Sequence, residues 1–87
     1  MTKNLHYVYL IISKNAQSVK SYVGYTINLK KRITLHNKGK GAKSTRGRHW
    51  KLVFKKKFKN KSMAMKYEYF LKKNKKLRKQ MKEIYVF

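Results

Sequence analysis

With 25 Lys and Arg residues against 2 acids, this 87-residue chain carries a formal net charge of +23. Charge of one sign pushes a compact chain apart. Whatever the sequence folds into must therefore be held by its apolar residues, with almost no help from ion pairs. Hydrophobic residues make up 41% of the chain and aromatic residues 14%. A disordered basic tail would be poor in both, so a folded basic domain is expected. A polyanion would relieve the repulsion, and nucleic acid is the commonest one. The wealth of Lys, Asn, Ile, Tyr and Phe also fits an AT-rich genome. That bias exchanges Arg for Lys but does not by itself remove Asp.

The length suits one domain, residues 1–87, with a core over about 5–73 and a basic helical tail over 74–87. A domain of this size buries only ~60–65% of the surface its unfolded chain exposes, so its core is thin. The chain has no cysteine, which rules out disulfides, Cys-ligated zinc and a thiol nucleophile. The longest apolar stretch, Tyr7 to Ile12, is far short of the ~20 residues that span a bilayer. Residues 1–5 lack the charged start and apolar run of a signal peptide. A cytoplasmic location is the expectation.

Leu5 to Ile12 is rich in aromatic and β-branched residues and reads as a strand buried on both faces. The polar stretch Ser13 to Ser18 is a turn. Val19 to Tyr25 completes a hairpin, with Gly24 marking a bulge or a close backbone approach. Thr26 and Asn28 are both candidate caps for a helix over Leu29 to Asn37, and Gly39 suits its C-terminal end. On that helix Leu29, Arg32, Ile33 and His36 share one face. Gly39 to His49 is a glycine-rich basic loop. Trp50 to Phe58 reads as a third strand, with Trp50, Leu52, Phe54 and Phe58 on an inward face and lysines outward. Ser62 caps a second helix from Met63 to about Lys73, with Met63, Tyr67, Phe70 and Leu71 as its stripe. Lys72 to Lys82 is a further helix or a helical tail, and Ile84 to Phe87 reads as a short end strand. The expected fold is α+β: a small antiparallel sheet of three strands packed with helices, in the order β-β-α-β-α.

Two tyrosine triplets fall on the hairpin strands, Tyr7-Val8-Tyr9 and Tyr22-Val23-Gly24. Arg32 and His36 follow on the first helix, and Glu68 on the second. Taken singly, each is ordinary. Strand tyrosines are by default core or cross-strand aromatics. A histidine near a helix C-terminus is often a surface or capping residue. Glu68 could simply pair with Lys72 one turn on, worth ~0.3–0.5 kcal/mol. His6 and His49 read as solvated or phosphate-facing, since two scattered histidines make no zinc site. Taken jointly, in this order and on these elements, the residues resemble the GIY-YIG nuclease family, and the loop Gly39 to Arg46 looks like that of its small single-domain bacterial members. The resemblance covers about Leu5 to Lys73. Tyr7 stands where the first triplet usually has Gly, a variation the small members share. Asn74 is the nearest counterpart of the family's late asparagine.

The resemblance implies a metal-dependent endonuclease hydrolysing DNA phosphodiester bonds. One divalent cation, Mg2+ or Mn2+, would sit on Glu68. Tyr22 would help remove a proton from the attacking water. Arg32 would bear on the growing phosphoryl charge, and Tyr9 and His36 would position groups or relay protons. Lys43, Thr45, Arg46 and Arg48 in the loop are the expected DNA contacts, and DNA repair or recombination is the setting. Attack on a phosphodiester builds negative charge, which a fixed guanidinium and a cation both suit. A free tyrosine has a pKa of ~10, so it serves as a base near neutrality only where cations lower that value. The acid count decides between metal mechanisms. Glu68 and Glu83 are the chain's only acids. A two-metal site needs several carboxylates, whereas Mg2+ often takes one or two and keeps its waters. Exposed aromatics such as Tyr25 and Tyr69 would stack on unpaired bases, which favours single-stranded or branched DNA, with RNA as the other candidate. The competing reading is a non-catalytic basic nucleic-acid-binding module, ribosome- or nucleoid-associated, which has no need of Glu68. A third is a fragment of a homing or repair enzyme without its targeting domain.

Overall fold

The structure, a computed structural model, describes residues 5–86. Its elements run β1 (His6–Lys14), β2 (Val19–Thr26), α1 (Leu29–Asn37), β3 (Lys51–Phe58), α2 (Lys61–Lys73) and α3 (Lys75–Val86), with a single 3-10 turn at Lys43–Thr45. The three strands form one antiparallel sheet in the order β2-β1-β3. The fold is α+β, as the hairpin-first pattern predicts, with α3 as an added final helix.

The most apolar strand, β1, lies in the middle, and its alternate residues serve opposite faces. Val8 and Leu10 join Val23, Ala64 and Leu71 in one buried cluster. Tyr9 and Ile11 join Trp50 in another, against which Leu29, Ile33 and Tyr22 pack. The sheet thus has α1 on one side and α2 with α3 on the other. All five residues from Val8 to Ile12 are under 5% exposed, which explains why β1 has no polar face.

The third strand does not keep one inward face. Leu10 pairs with Phe54 but Ile11 pairs with Leu52, so Val53 is an extra residue in the ladder. This bulge switches faces. Trp50 and Leu52 pack toward α1, whereas Val53, Phe54 and Phe58 pack toward α2. The sheet is covered on both sides, and a strictly alternating strand could feed only one of them.

Asparagines punctuate the helices. Asn28 accepts from the amide of Lys31 at 3.1 Å, while Thr26 stands one step earlier and accepts from the amide of Asn28. Asn60, not Ser62, caps α2, accepting from the amide of Met63 at 2.9 Å. Asn74 ends α2 and caps α3, with its side chain on the amide of Leu77 at 3.0 Å. The inward residues of α2 are Ala64, Tyr67 and Leu71; Met63 and Phe70 are 54% and 49% exposed. The stripe is displaced because the small Ala64, not Met63, lets the helix approach the sheet. Leu77 and Met81 extend the same apolar contact onto α3. That packing carries the helix through Val86, so no end strand forms over Ile84 to Val86; Phe87 lies outside the described residues.

Candidate active site

The hairpin register creates the site. Tyr9 is paired with Gly24, and Ile11 with Tyr22. Tyr9 and Tyr22 therefore stand on the same face, diagonal to one another, with ring centroids 6.4 Å apart. A Cβ on Gly24 would collide with the Tyr9 hydroxyl. Gly24 is thus needed not for an unusual backbone angle but for the space in which the Tyr9 ring lies across β2. That ring points its hydroxyl at α1, on the face where Arg32 and His36 sit.

His36 is fully buried at the end of α1. Its Nε2 lies 2.7 Å from the Tyr9 hydroxyl and its Nδ1 lies 2.9 Å from the Thr45 hydroxyl. Its ring also packs against Tyr22, at 4.9 Å between centroids. A Cβ on Gly41 would overlap the imidazole. The two glycines therefore clear room for the two ends of one hydrogen-bonded pair. Burial and the Arg32 charge both hold the His36 pKa below its ordinary value, so the imidazole is neutral near pH 7.

Arg32, one turn before His36, donates from Nη2 to the carbonyl of Gly41 at 3.0 Å. The nearby phenols, Tyr9 foremost and then Tyr22, raise the pKa of the guanidinium further, while its Nε is buried without a hydrogen-bond partner among the described residues. The effect on Tyr9 runs against a simple expectation. A cationic neighbour should make a tyrosine more acidic, yet burial outweighs Arg32 and the Tyr9 pKa is pushed up to about 12. Tyr9 is accordingly a neutral phenol at physiological pH, unsuited to accept a proton as a phenolate.

Glu68, on α2, is near enough to act on the cluster through its charge. Its charge is felt at the Tyr9 phenol, which it helps to keep protonated. The carboxylate side chain is only 13% exposed and lies 3.5 Å from the ammonium of Lys72. The simple surface pair considered for it does exist, but the carboxylate is largely withdrawn from solvent. Among the described residues no group of three or more His, Cys, Asp or Glu side chains could hold a metal ion. A zinc-type cage is thus absent from them. One shielded carboxylate in a cationic pocket fits a hard divalent cation that takes most of its ligands from water and phosphate.

The loop that follows α1 is tied down at several points. Gly39, with φ of 76°, turns the chain out of the helix. The Asn37 side chain holds both backbone groups of Trp50, accepting from its amide at 2.6 Å and donating to its carbonyl at 3.2 Å. The indole of Trp50 donates to the carbonyl of Thr45 at 2.8 Å. Arg48 donates to the carbonyls of Ser13 and Ser18 and to the Ser18 hydroxyl, pinning the loop to the β1–β2 turn. Of the four loop residues expected to touch DNA, Lys43 and Arg46 are exposed. Thr45 is fully buried under His36 and has no surface to offer, and the Arg48 fork is spent on the protein's own backbone. Tyr25 is likewise turned to structure: its hydroxyl lies 2.7 Å from His6 Nδ1 and the two rings stack. The same contact removes His6 from the set of freely solvated histidines, while His49 is exposed. Asn74, the nearest match to a late asparagine, uses its side chain as a helix cap.

Sequence reasoning overlooked Gly41, Asn37 and Trp50. Only the close spacing of Gly39 and Gly41 hinted at a tight approach there. A family model of the GIY-YIG catalytic domain matches residues 5–82. The chain belongs to the GIY-YIG family. The match reaches into α3, beyond the Lys73 limit drawn from sequence. Among its relatives, a UPF0213 protein of Oceanobacillus iheyensis is 50% identical over 68 residues, covering 77% of this chain and 76% of that one. The UPF0213 protein YazA of Bacillus subtilis is 40% identical over 87 residues, covering 99% of this chain and 82% of that one. The solution NMR structure of a UPF0213 protein from Bacillus halodurans is 40% identical, covers 94% of this chain and 84% of that chain, and superposes with a TM-score of 0.48. The GIY-YIG domain is a nuclease domain that generally works with divalent metal ions on nucleic acid. No helix among the described residues is long and apolar enough to cross a membrane.

Proposed function

We propose that this GIY-YIG protein is an endonuclease that hydrolyses DNA phosphodiester bonds with a single divalent cation held by Glu68. The observation that carries the reading is the convergence of Tyr9, Tyr22, Arg32 and His36, drawn from three elements, with Glu68 within electrostatic reach. A core tyrosine and a core histidine need no guanidinium beside them. Burying Arg32 against two phenols in a protein of net charge +23 costs stability, and an anion at the site would offset that cost. With Glu83 as the chain's other acid, a mechanism needing several carboxylates has too few ligands.

A bound Mg2+ or Mn2+ supplies Lewis-acid charge on the phosphoryl oxygens. The protein's own groups do the rest. Arg32 lies along the developing negative charge, already fixed by Gly41 and so with little reorganisation to make. Tyr22, only half-buried and facing Arg32, is the group proposed to draw a proton from the attacking water. Tyr9, a neutral phenol bonded to His36, is not the base. Lys43 and Arg46 are the loop cations proposed to bear on the phosphate backbone, while Thr45 and Arg48 act from within. Tyr69, 63% exposed on α2, with the Lys73 ammonium 5.4 Å over its ring, supports a preference for unpaired bases and thus for single-stranded or branched DNA. The alternative, a non-catalytic binding module, draws support from the Glu68–Lys72 pair, which gives the carboxylate a structural use.

Arg32→Ala separates the two readings. Single-turnover cleavage should fall by about 10²–10³, as on losing a donor to developing charge, with affinity for the same oligonucleotide changed only a few-fold. Equal losses in both would reduce Arg32 to one phosphate contact among many.

A further inference from the structure

We infer that Thr45 is a positioning residue for this site: its hydroxyl fixes His36 as the tautomer with hydrogen on Nδ1, and His36 then turns the Tyr9 phenol hydrogen inward, away from the substrate side. The inference rests on the nuclease reading for its catalytic consequence but not for its geometry. A hydroxyl has one hydrogen to give and two lone pairs to receive with. Thr45 Oγ1 lies 3.0 Å from the Ala42 carbonyl, which can only accept. It lies 3.2 Å from the Ala42 amide, which can only donate. Its remaining neighbour is His36 Nδ1 at 2.9 Å. With the hydrogen committed to the carbonyl, Thr45 is satisfied in full when Nδ1 is the donor. His36 Nε2 is then bare and accepts from the Tyr9 hydroxyl at 2.7 Å.

Hydrogens thus run one way, from Tyr9 to His36 to Thr45 to the carbonyl of Ala42, which can only accept. His36 and Thr45 are each fully buried, so water does not substitute for either partner. The Trp50 indole on the Thr45 carbonyl and the Gly41 backbone beneath the imidazole fix the position of the hydroxyl. Thr45 thus acts through His36 on Tyr9 and, fully buried, never meets the substrate.

Long-range 15N-coupled NMR of His36 reports which ring nitrogen carries the hydrogen. Wild type at pH 7.5 should show hydrogen on Nδ1, and Thr45→Ser should preserve it. Thr45→Val, which keeps the shape but offers no acceptor, should move the hydrogen to Nε2. In cleavage assays Thr45→Val should lower kcat about 10- to 100-fold with KM nearly unchanged, and Thr45→Ser should restore it. Hydrogen on Nε2 in the wild type, or an unchanged tautomer in Thr45→Val, would overturn the inference. Full turnover in a Thr45→Val variant whose tautomer has switched would overturn its catalytic part. If Thr45→Val fails to fold, the wild-type and Thr45→Ser spectra still decide the tautomer. If no form of the protein cleaves DNA, the spectra stand on their own, and it is the nuclease reading that fails.

Discussion

At the scale of single residues, the site is built by omission as much as by addition. Gly24 and Gly41 each leave out one carbon where Tyr9 and His36 must fit. Alanine at either position would force a buried ring off its place. Overpacking of this kind costs about 1–3 kcal/mol, and in a domain this size each kcal/mol lowers Tm by roughly 4–8 °C. Thermal unfolding of Gly24→Ala and Gly41→Ala should show that loss together with a loss of cleavage; an unchanged Tm would mean that the rings have somewhere else to go. His36 gives a second residue-scale prediction. Its pKa is lowered in the folded state, so the stability tied to its neutral form is present above the unfolded value of ~6.5 and is lost as pH falls toward the folded value. Tm should therefore drop on acidification below about pH 6.5, and the drop attributable to this group should vanish in a folded His36→Gln variant. Tyr9 mirrors this at the alkaline end: with its pKa raised to about 12, its contribution holds below the unfolded value of ~10 and fades above it.

At the scale of elements, periodicity explains what could be read in advance. Strand alternation puts Tyr9 and Tyr22 on one face, and helical spacing puts Arg32 one turn from His36. These relations are local, so the order of residues carries them. The link from His36 to Thr45 crosses a loop without a period, and a buried threonine looks like a phosphate contact when only its basic neighbours are seen. The bulge at Val53 was equally hidden. Nothing in Trp50 to Phe58 marks the change of face, which arises because α1 and α2 claim opposite sides of β3. The cap and the stripe of α2 differ from the sequence reading for a simpler reason. Ser and Asn cap with similar ease, and only contacts with the sheet show that Ala64, not Met63 or Phe70, joins Tyr67 and Leu71 on the inward face. An Asn60→Ala change should cost about 1 kcal/mol by chemical denaturation, whereas Ser62→Ala should be near neutral; the reverse order would restore Ser62 as the cap.

At the scale of the whole molecule, the dominant quantity is the net charge of +23. It keeps the chain in search of a polyanion and sets how binding responds to salt. A footprint of 6–10 phosphates would lose about 10³–10⁵ in affinity between 50 and 200 mM salt, measurable by fluorescence anisotropy; a flat response would remove the electrostatic basis of binding. The same surplus of cations makes the acids informative, and Glu68 is the one whose charge acts on the tyrosine cluster. The most direct test of its role is cleavage of labelled single-stranded, double-stranded and branched DNA by wild type and Glu68→Ala, with magnesium or with EDTA. Cutting that needs magnesium and disappears in the variant, while binding persists, is the expected result. Tight binding by the wild type with no cutting of any substrate, or cutting that survives Glu68→Ala, would contradict it.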